Sequence, residues 1–98
     1  LGESVAAAFL VSRGASIVDR NVHVGRGEVD LIVAFGGERI VVEVKAATGD
    51  HDPMLHLTED KQARVRTLAT RLGIRRVDYV GVSVSPGGMS VRWLPRVC

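Results

Sequence analysis

One cysteine, Cys98, is all the sequence holds. No internal disulfide can therefore staple the fold, which fits a reducing compartment and makes the cytoplasm the expected location. A membrane-crossing run is also missing, because the longest uninterrupted apolar stretch, Val5 to Val11, falls far short of the ~20 residues a spanning helix needs. Leu1-Gly2-Glu3 leads into that stretch without a basic segment, which argues against a secretory signal, and the absent initiator Met implies a trimmed start. Four aromatic residues, Phe9, Phe35, Tyr79 and Trp93, are too few for a platform on which the bases of a single strand stack. Any contact with nucleic acid is expected to fall mostly on its backbone.

What is present has the balance of a soluble globular protein. Of 98 residues, 46% are hydrophobic and 24% charged, which predicts one hydrophobic core and a single domain over residues 1–98. The net charge of +2 conceals two opposed halves. Residues 1 to 60 carry 5 Lys or Arg against 10 Asp or Glu, whereas residues 61 to 98 carry 8 against 1. A metal site beside a polyanion-binding surface has this signature; an amphoteric surface is the plainer alternative.

Along the chain, Glu3 to Arg13 reads as a helix, with Val5, Phe9 and Ala6, Leu10 at four-residue spacing and Gly14 as its stop. Ile17 to Val24 is β-branched and reads as a strand, turned by Gly25-Arg26-Gly27. Glu28 to Phe35 and Glu38 to Ala47 flank Gly36-Gly37, which signals a β-hairpin. Thr48 to Leu57, with Gly49, Asp50, Asp52 and Pro53, has the composition of a surface loop. Thr58 is placed to cap a second helix that puts Val65, Leu68, Ala69 and Leu72 on one face and ends at Gly73. Val77 to Val84 and Met89 to Leu94 are strands joined by Ser85-Pro86-Gly87-Gly88, the first following the helix as a crossover to a parallel neighbour. The order αβββαββ defines a small α/β layer protein.

The hairpin concentrates the chemistry. A two-residue loop at Gly36-Gly37 pairs Phe35 with Glu38, and the same register sets Asp30 opposite Glu43 and Glu28 opposite Lys45. Side chains alternate with period two, so these four share one face, while Val29, Leu31, Val33, Phe35, Ile40, Val42, Val44 and Ala46 form an apolar face for the helices to cover. Two carboxylates facing each other across a backbone separation of ~5 Å repel unless something compensates. A divalent cation would compensate, and hard oxygen ligands suit Mg²⁺ or Mn²⁺. Lys45, ~7 Å beyond Glu43 on the same face, is within reach of a scissile phosphate without being a ligand. These are parts for metal-assisted phosphodiester hydrolysis. A solvated polar face, with Glu28 and Lys45 as a cross-strand ion pair, is the alternative.

Asp30, followed thirteen residues later by Glu43-Val44-Lys45, resembles the PD-(D/E)xK motif of restriction-endonuclease-like nucleases. More narrowly, Gly2-Glu3 with Ala6-Ala7 and Phe9-Leu10, then Arg20-Asn21, Gly27 to Ile32, Val42 to Lys45 and Lys61-Gln62 resembles the bacterial YraN-like family, grouped with the archaeal Holliday junction resolvases. The resemblance spans roughly residues 2 to 82. It implies a restriction-endonuclease-like mixed β-sheet flanked by helices, and a DNA endonuclease that works with Mg²⁺ or Mn²⁺ as a homodimer on branched DNA. It further implies that Asp30, Glu43 and the Val44 carbonyl bind metal, that Lys45 is the catalytic lysine, that Glu3 completes the site from the first helix, and that Lys61 and Gln62 support it; Glu28, placed on the same face by the hairpin register, is a further supporting candidate. One departure is visible: a basic residue usual after the lysine is replaced by Ala46-Ala47-Thr48. That leaves room for a rival reading, a non-cleaving DNA-binding or partner-binding module on the same fold.

Other residues invite plainer readings. His51 and His56 lie five apart in a loop with no Cys nearby, so zinc is not expected, and His23 at a strand end reads as structural. Gly25-Arg26-Gly27 lacks the third glycine of a nucleotide-binding loop and reads as a turn. Arg64, Arg71, Arg75 and Arg76, on and after the second helix with Arg66, are candidates for DNA phosphates and equally for a solvated helix face. Cys98 reads as incidental.

Overall fold

Alternating apolar residues, broken by glycine turns and two helical stretches, give a five-stranded sheet with one helix on each side. A computed structural model describes residues 2–49, 51–55 and 57–96; Leu1, Asp50, His56, Val97 and Cys98, and the readings made for Asp50, His56 and Cys98, lie outside them. The elements are α1 (Gly2–Ser12), β1 (Ser16–Val24), β2 (Gly27–Phe35), β3 (Glu38–Thr48), α2 (Glu59–Arg71), β4 (Arg76–Ser85) and β5 (Gly88–Leu94). The strands lie in the order β1-β2-β3-β4-β5. All neighbours are antiparallel except β3 and β4, the parallel pair that α2 connects. The expected order αβββαββ is the observed one. No helix among the described residues is long and apolar enough to cross a membrane.

Each helix ends where its sequence provides a stop. Gly14, at φ 100°, lets the Ala15 N–H reach back to the Leu10 carbonyl at 3.0 Å, and Gly73, at φ 74°, does the same for Ile74 and Ala69 at 2.9 Å. Thr58 caps α2 by accepting from the Lys61 N–H at 3.2 Å, with Glu59 and Asp60 in the first turn.

The core is double. On one side α1 buries Ala6, Ala7 and Leu10 against Leu31, Val33, Ile40, Val42, Val80 and Val82. On the other, α2 buries Val65, Leu68 and Ala69 against Val29, Ile32, Val41, Val77 and Tyr79. Strict alternation had assigned Val29 to the face of Leu31 and Val33. The structure moves it to the opposite face, at the level where β1 kinks through the left-handed Asn21.

The α1 face also encloses an ionic cluster. Asp78 is fully buried and accepts from Arg76 Nε and Nη2 at 2.9 and 3.0 Å, Trp93 Nε1 at 2.8 Å and the Arg96 backbone N–H at 2.9 Å. Arg76 Nη1 continues to Glu38 at 2.6 Å. These bonds tie the starts of β3 and β4 to the end of β5, next to the edge-on contact of Phe35 and Trp93.

Candidate functional site

The site lies where the sheet opens. The β2–β3 register runs from Phe35↔Glu38 to Leu31↔Val42, as the hairpin predicts, and then stops. Beyond it β2 pairs only with β1, through His23↔Glu28 and Val24↔Gly27, while β3 pairs only with β4, from Glu43↔Tyr79 to Thr48↔Val84. Parting strands leave main-chain N–H groups that need acceptors. Asp30 and Glu43 provide them reciprocally: the Asp30 N–H donates to Glu43 Oε2 at 2.8 Å, and the Val44 N–H donates to Asp30 Oδ2 at 2.8 Å. Both carboxyls are thereby held in place by the main chain of the other's strand.

Burial sets their protonation. It pushes the Glu43 carboxyl from an ordinary 4.5 up to about 7, and the charge of Asp30 adds to the rise. Burial likewise raises Asp30, with help from the charge of Glu3 and against the pull of the Val44 N–H and Lys45. With both carboxyls raised and facing each other's charge, the pair favours keeping one proton over full ionisation. Lys45 is half-buried, its charge lowers both carboxyls, and it belongs to no ion pair among the described residues. It sits opposite Gly81, where a Cβ would meet Pro53 and Met54 at 3.2 and 3.0 Å.

Asn21 was quoted in the sequence pattern but given no role. Its backbone is left-handed, at φ 50°, and it lies between the pairs Arg20↔Leu31 and Val22↔Val29, level with Asp30, while the shift of register in this ladder falls earlier, between Ile17 and Asp19. Asn tolerates that conformation better than a β-branched residue. The kink turns the outer arm of the hairpin, which is why Val22, Val24 and Val29 face α2. It also aims the Asn21 amide at two carboxylates, Glu3 Oε1 at 2.9 Å and Glu28 Oε1 at 3.1 Å. Asn21→Gly is expected to lose only what these two exposed hydrogen bonds contribute, because glycine adopts φ 50° freely, whereas Asn21→Val is expected to lose about 1–3 kcal/mol more from strain. Parallel thermal melts check this.

The remaining candidates divide. Glu3, in the first turn of α1, reaches the site through Asn21 and its effect on Asp30. Glu28 does not face Lys45 as the simple register required; it pairs with His23 on β1, with 3.8 Å between His23 Nε2 and Glu28 Oε2, because β2 leaves β3 before reaching that position. Lys61 is exposed, with its backbone in the cap of α2. Gln62 is half-buried and donates to the Leu57 carbonyl at 3.5 Å. Arg64 and Arg71 are exposed on α2 and Arg75 follows it, also exposed. Arg76 is corrected: with its side chain 11% exposed and engaged by Asp78 and Glu38, it is part of the interior rather than a phosphate contact. Ala46 also acquires a reason, since a Cβ on Gly2 would lie 3.1 Å from its own; the small residue lets α1 start close to β3.

The donor set fits a hard divalent cation. Two carboxyls that disfavour double ionisation are held side by side, where a cation would offset their charge. Hard carboxylate oxygens suit an ion such as Mg²⁺, which keeps several waters of its own; among the described residues no group of three or more His, Cys, Asp or Glu side chains is arranged to hold a metal ion.

The protein family described as Uncharacterised protein family UPF0102, the YraN-like family, matches residues 2–82. A UPF0102 protein of Clavibacter michiganensis is 38% identical over 97 residues, spanning 89% of this chain and 82% of that one. One from Symbiobacterium thermophilum is 40% identical over 97 residues, with the same shares of 89% and 82%. Among solved structures, Archaeoglobus fulgidus Hjc, a Holliday junction resolvase from an archaeal hyperthermophile, is similar with a TM-score of 0.62 at 20% identity, over 96% of this chain and 74% of that one. The fold is restriction-endonuclease-like.

Proposed function

The chain belongs to the uncharacterised protein family UPF0102, and we propose that it is a Mg²⁺- or Mn²⁺-dependent endonuclease that hydrolyses phosphodiester bonds in DNA, with branched DNA and a homodimer as the working form. The observation that carries this reading is the pair Asp30 and Glu43, locked by reciprocal backbone hydrogen bonds where the sheet opens, with Lys45, in no ion pair among the described residues, near enough for its charge to act on both.

The chain's own residues have separable tasks. Asp30 and Glu43 would hold the cation, with the Val44 carbonyl as a further oxygen from the same strand. When bound, it supplies Lewis acidity to the phosphodiester and lowers the pKa of an attacking water. Lys45 places positive charge where the phosphate gains negative charge in the transition state. Glu3 and Glu28, joined by the Asn21 amide, supply further acceptors for water on the α1 side. Cleavage of labelled duplex, flapped, single-stranded and four-way-junction DNA, with Mg²⁺ or Mn²⁺ and with chelator, tests the proposal. Metal-dependent cutting, strongest on the junction, is expected; binding without cutting under every condition would establish the rival binding module instead.

The proton kept by the carboxyl pair has a consequence for stability. Because the folded-state pKa of Glu43 is raised from 4.5 to about 7, the folded protein binds more protons than the unfolded chain within that window. The stabilisation is therefore complete below pH 4.5 and lost as pH rises through about 7. In chelator, the wild type is expected to melt several degrees lower at about pH 8 than at about pH 5 relative to Glu43→Gln, whose amide mimics the protonated acid. Mg²⁺ should restore the wild type at the higher pH and leave the variant nearly unmoved. Parallel pH profiles of both proteins would count against the retained proton.

A further inference from the structure

The turn Gly25-Arg26-Gly27 is more than a connection between β1 and β2. With the exposed side of α2 it encloses a hollow of about 450 Å³, lined by Arg26, Arg64 and Arg71 over Val24, Thr67 and Leu68. No Asp or Glu lines it. The other arginines near carboxylates are neutralised: Arg76 and Arg96 by Glu38, Arg92 by Asp52. Arg26, Arg64 and Arg71 are in no ion pair among the described residues.

Two glycines build the hollow. A Cβ at Gly27 would lie 2.8 Å from Leu68 Cδ1, so only glycine lets α2 approach the turn this closely. At Gly25, with φ 59°, a Cβ would lie 2.9 Å from Arg71 Nη1, so glycine there both makes the turn and leaves space for that guanidinium. Three like charges are thus gathered along one hollow by backbone geometry, with no ion pair to offset them among the described residues. Such convergence is favourable only toward an anion, and planar guanidinium groups favour phosphate oxygens.

The spacing distinguishes a strand from a lone ion. Arg64 and Arg71 are two helical turns apart, ~10 Å along the axis, whereas successive nucleotides of one strand rise ~3.4 Å. They therefore meet phosphates of different nucleotides. Arg26 is four residues before Asp30 on the same arm, ~13 Å in extended chain, so a strand seated in the hollow continues to the two carboxyls.

We propose that Arg26, Arg64 and Arg71 clamp the phosphodiester backbone of nucleic acid and fix it a few nucleotides from the Asp30–Glu43 site. The proposal rests on the nuclease reading for the identity of its ligand and extends it to a surface that the carboxylates do not touch. Arg75, which borders a different hollow with Arg39 and Glu38, is outside the clamp.

The test measures binding of the full chain to a fluorescent duplex by anisotropy in EDTA, over a salt series, with two unrelated sequences. Each of Arg26→Ala, Arg64→Ala and Arg71→Ala is expected to reduce the magnitude of the log-affinity against log-salt slope by about 0.9 and to weaken both sequences alike. Arg75→Ala should leave the slope unchanged. All three side chains are exposed, so melting temperatures should match wild type. Unchanged slopes in the three variants would overturn the clamp. So would full competition of the duplex by inorganic phosphate where chloride of equal ionic strength has no effect, which would make the hollow a site for free phosphate. With Mg²⁺ added, the variants should lower kcat/KM and spare kcat. Reduced slopes in EDTA without any cleavage by wild type in Mg²⁺ would sustain the clamp while removing the nuclease reading; cleavage with unchanged slopes would do the reverse.

Discussion

Lys45→Ala is expected to slow cleavage about 10²–10³-fold at saturating Mg²⁺, the loss typical of removing one pre-positioned group that stabilises transition-state charge. The protein should melt close to wild type, because the half-buried lysine is in no ion pair among the described residues. Asp30→Asn and Glu43→Gln should remove at least as much activity by a different route. Each amide keeps an oxygen to accept from the Val44 or Asp30 N–H, so the opened sheet retains its hydrogen bonds, while the charge that would hold a cation is gone. The distinguishing measurement is single-turnover cleavage over a Mg²⁺ titration. The two carboxylate variants should need far more metal, whereas Lys45→Ala should need the wild-type amount and reach a lower plateau. Combining two of the changes should cost little beyond the worse single one, since the residues act as a unit. A folded Asp30→Asn protein that cuts at the wild-type rate would place the chemistry elsewhere.

How much of this was legible before the fold was known follows from which contacts are local. The β2–β3 register could be read because Gly36-Gly37 fixes it from one end, and it holds as far as Leu31↔Val42. Counting outward also put Asp30 opposite Glu43. It could not show that the strands separate there, because separation depends on how β1 and β4 hold β2 and β3, and the β3–β4 pairing joins segments far apart in the chain, such as Ile40 and Arg76. Side-chain alternation failed at Val29 for a related reason. The period of two survives only while the strand is regular, and the left-handed Asn21 on the neighbouring strand marks where it is not. An asparagine within a β-branched run was the available signal. Its amide contact with Glu3 needed α1 packed against the sheet before it could be seen. The arginines show the limit of charge counting: Arg64 and Arg76 weigh the same in composition, yet one is exposed on α2 and the other is enclosed. Arg76 and Asp78, two apart on one strand, share a face, which hinted at their pairing. The parts played by Trp93 and Arg96 came from the other end of the chain.

That enclosure makes Arg76→Ala the most destabilising substitution expected among the basic residues, and one with no direct effect on DNA. Asp78 is 0% exposed, and two of its four hydrogen bonds come from the Arg76 guanidinium. The carboxylate in turn raises the pKa of Arg76 above its ordinary value, through those bonds first and with a smaller contribution from Glu38. Removing the guanidinium leaves a buried charge with only Trp93 Nε1 and the Arg96 N–H, a situation that typically costs about 3–5 kcal/mol. For a chain of this size that corresponds to a fall in Tm of roughly 10 °C or more. The cost lies chiefly in stranding Asp78 rather than in the loss of the ion pair's net attraction. Adding Asp78→Asn to Arg76→Ala should therefore recover a substantial part of it, and a double-mutant cycle reads out the coupling. At a temperature where Arg76→Ala is still folded, its salt slope for duplex binding should equal that of wild type, unlike that of Arg64→Ala or Arg71→Ala. An unchanged Tm together with a slope reduced by about one would instead mean that Arg76 leaves Asp78 to meet a phosphate.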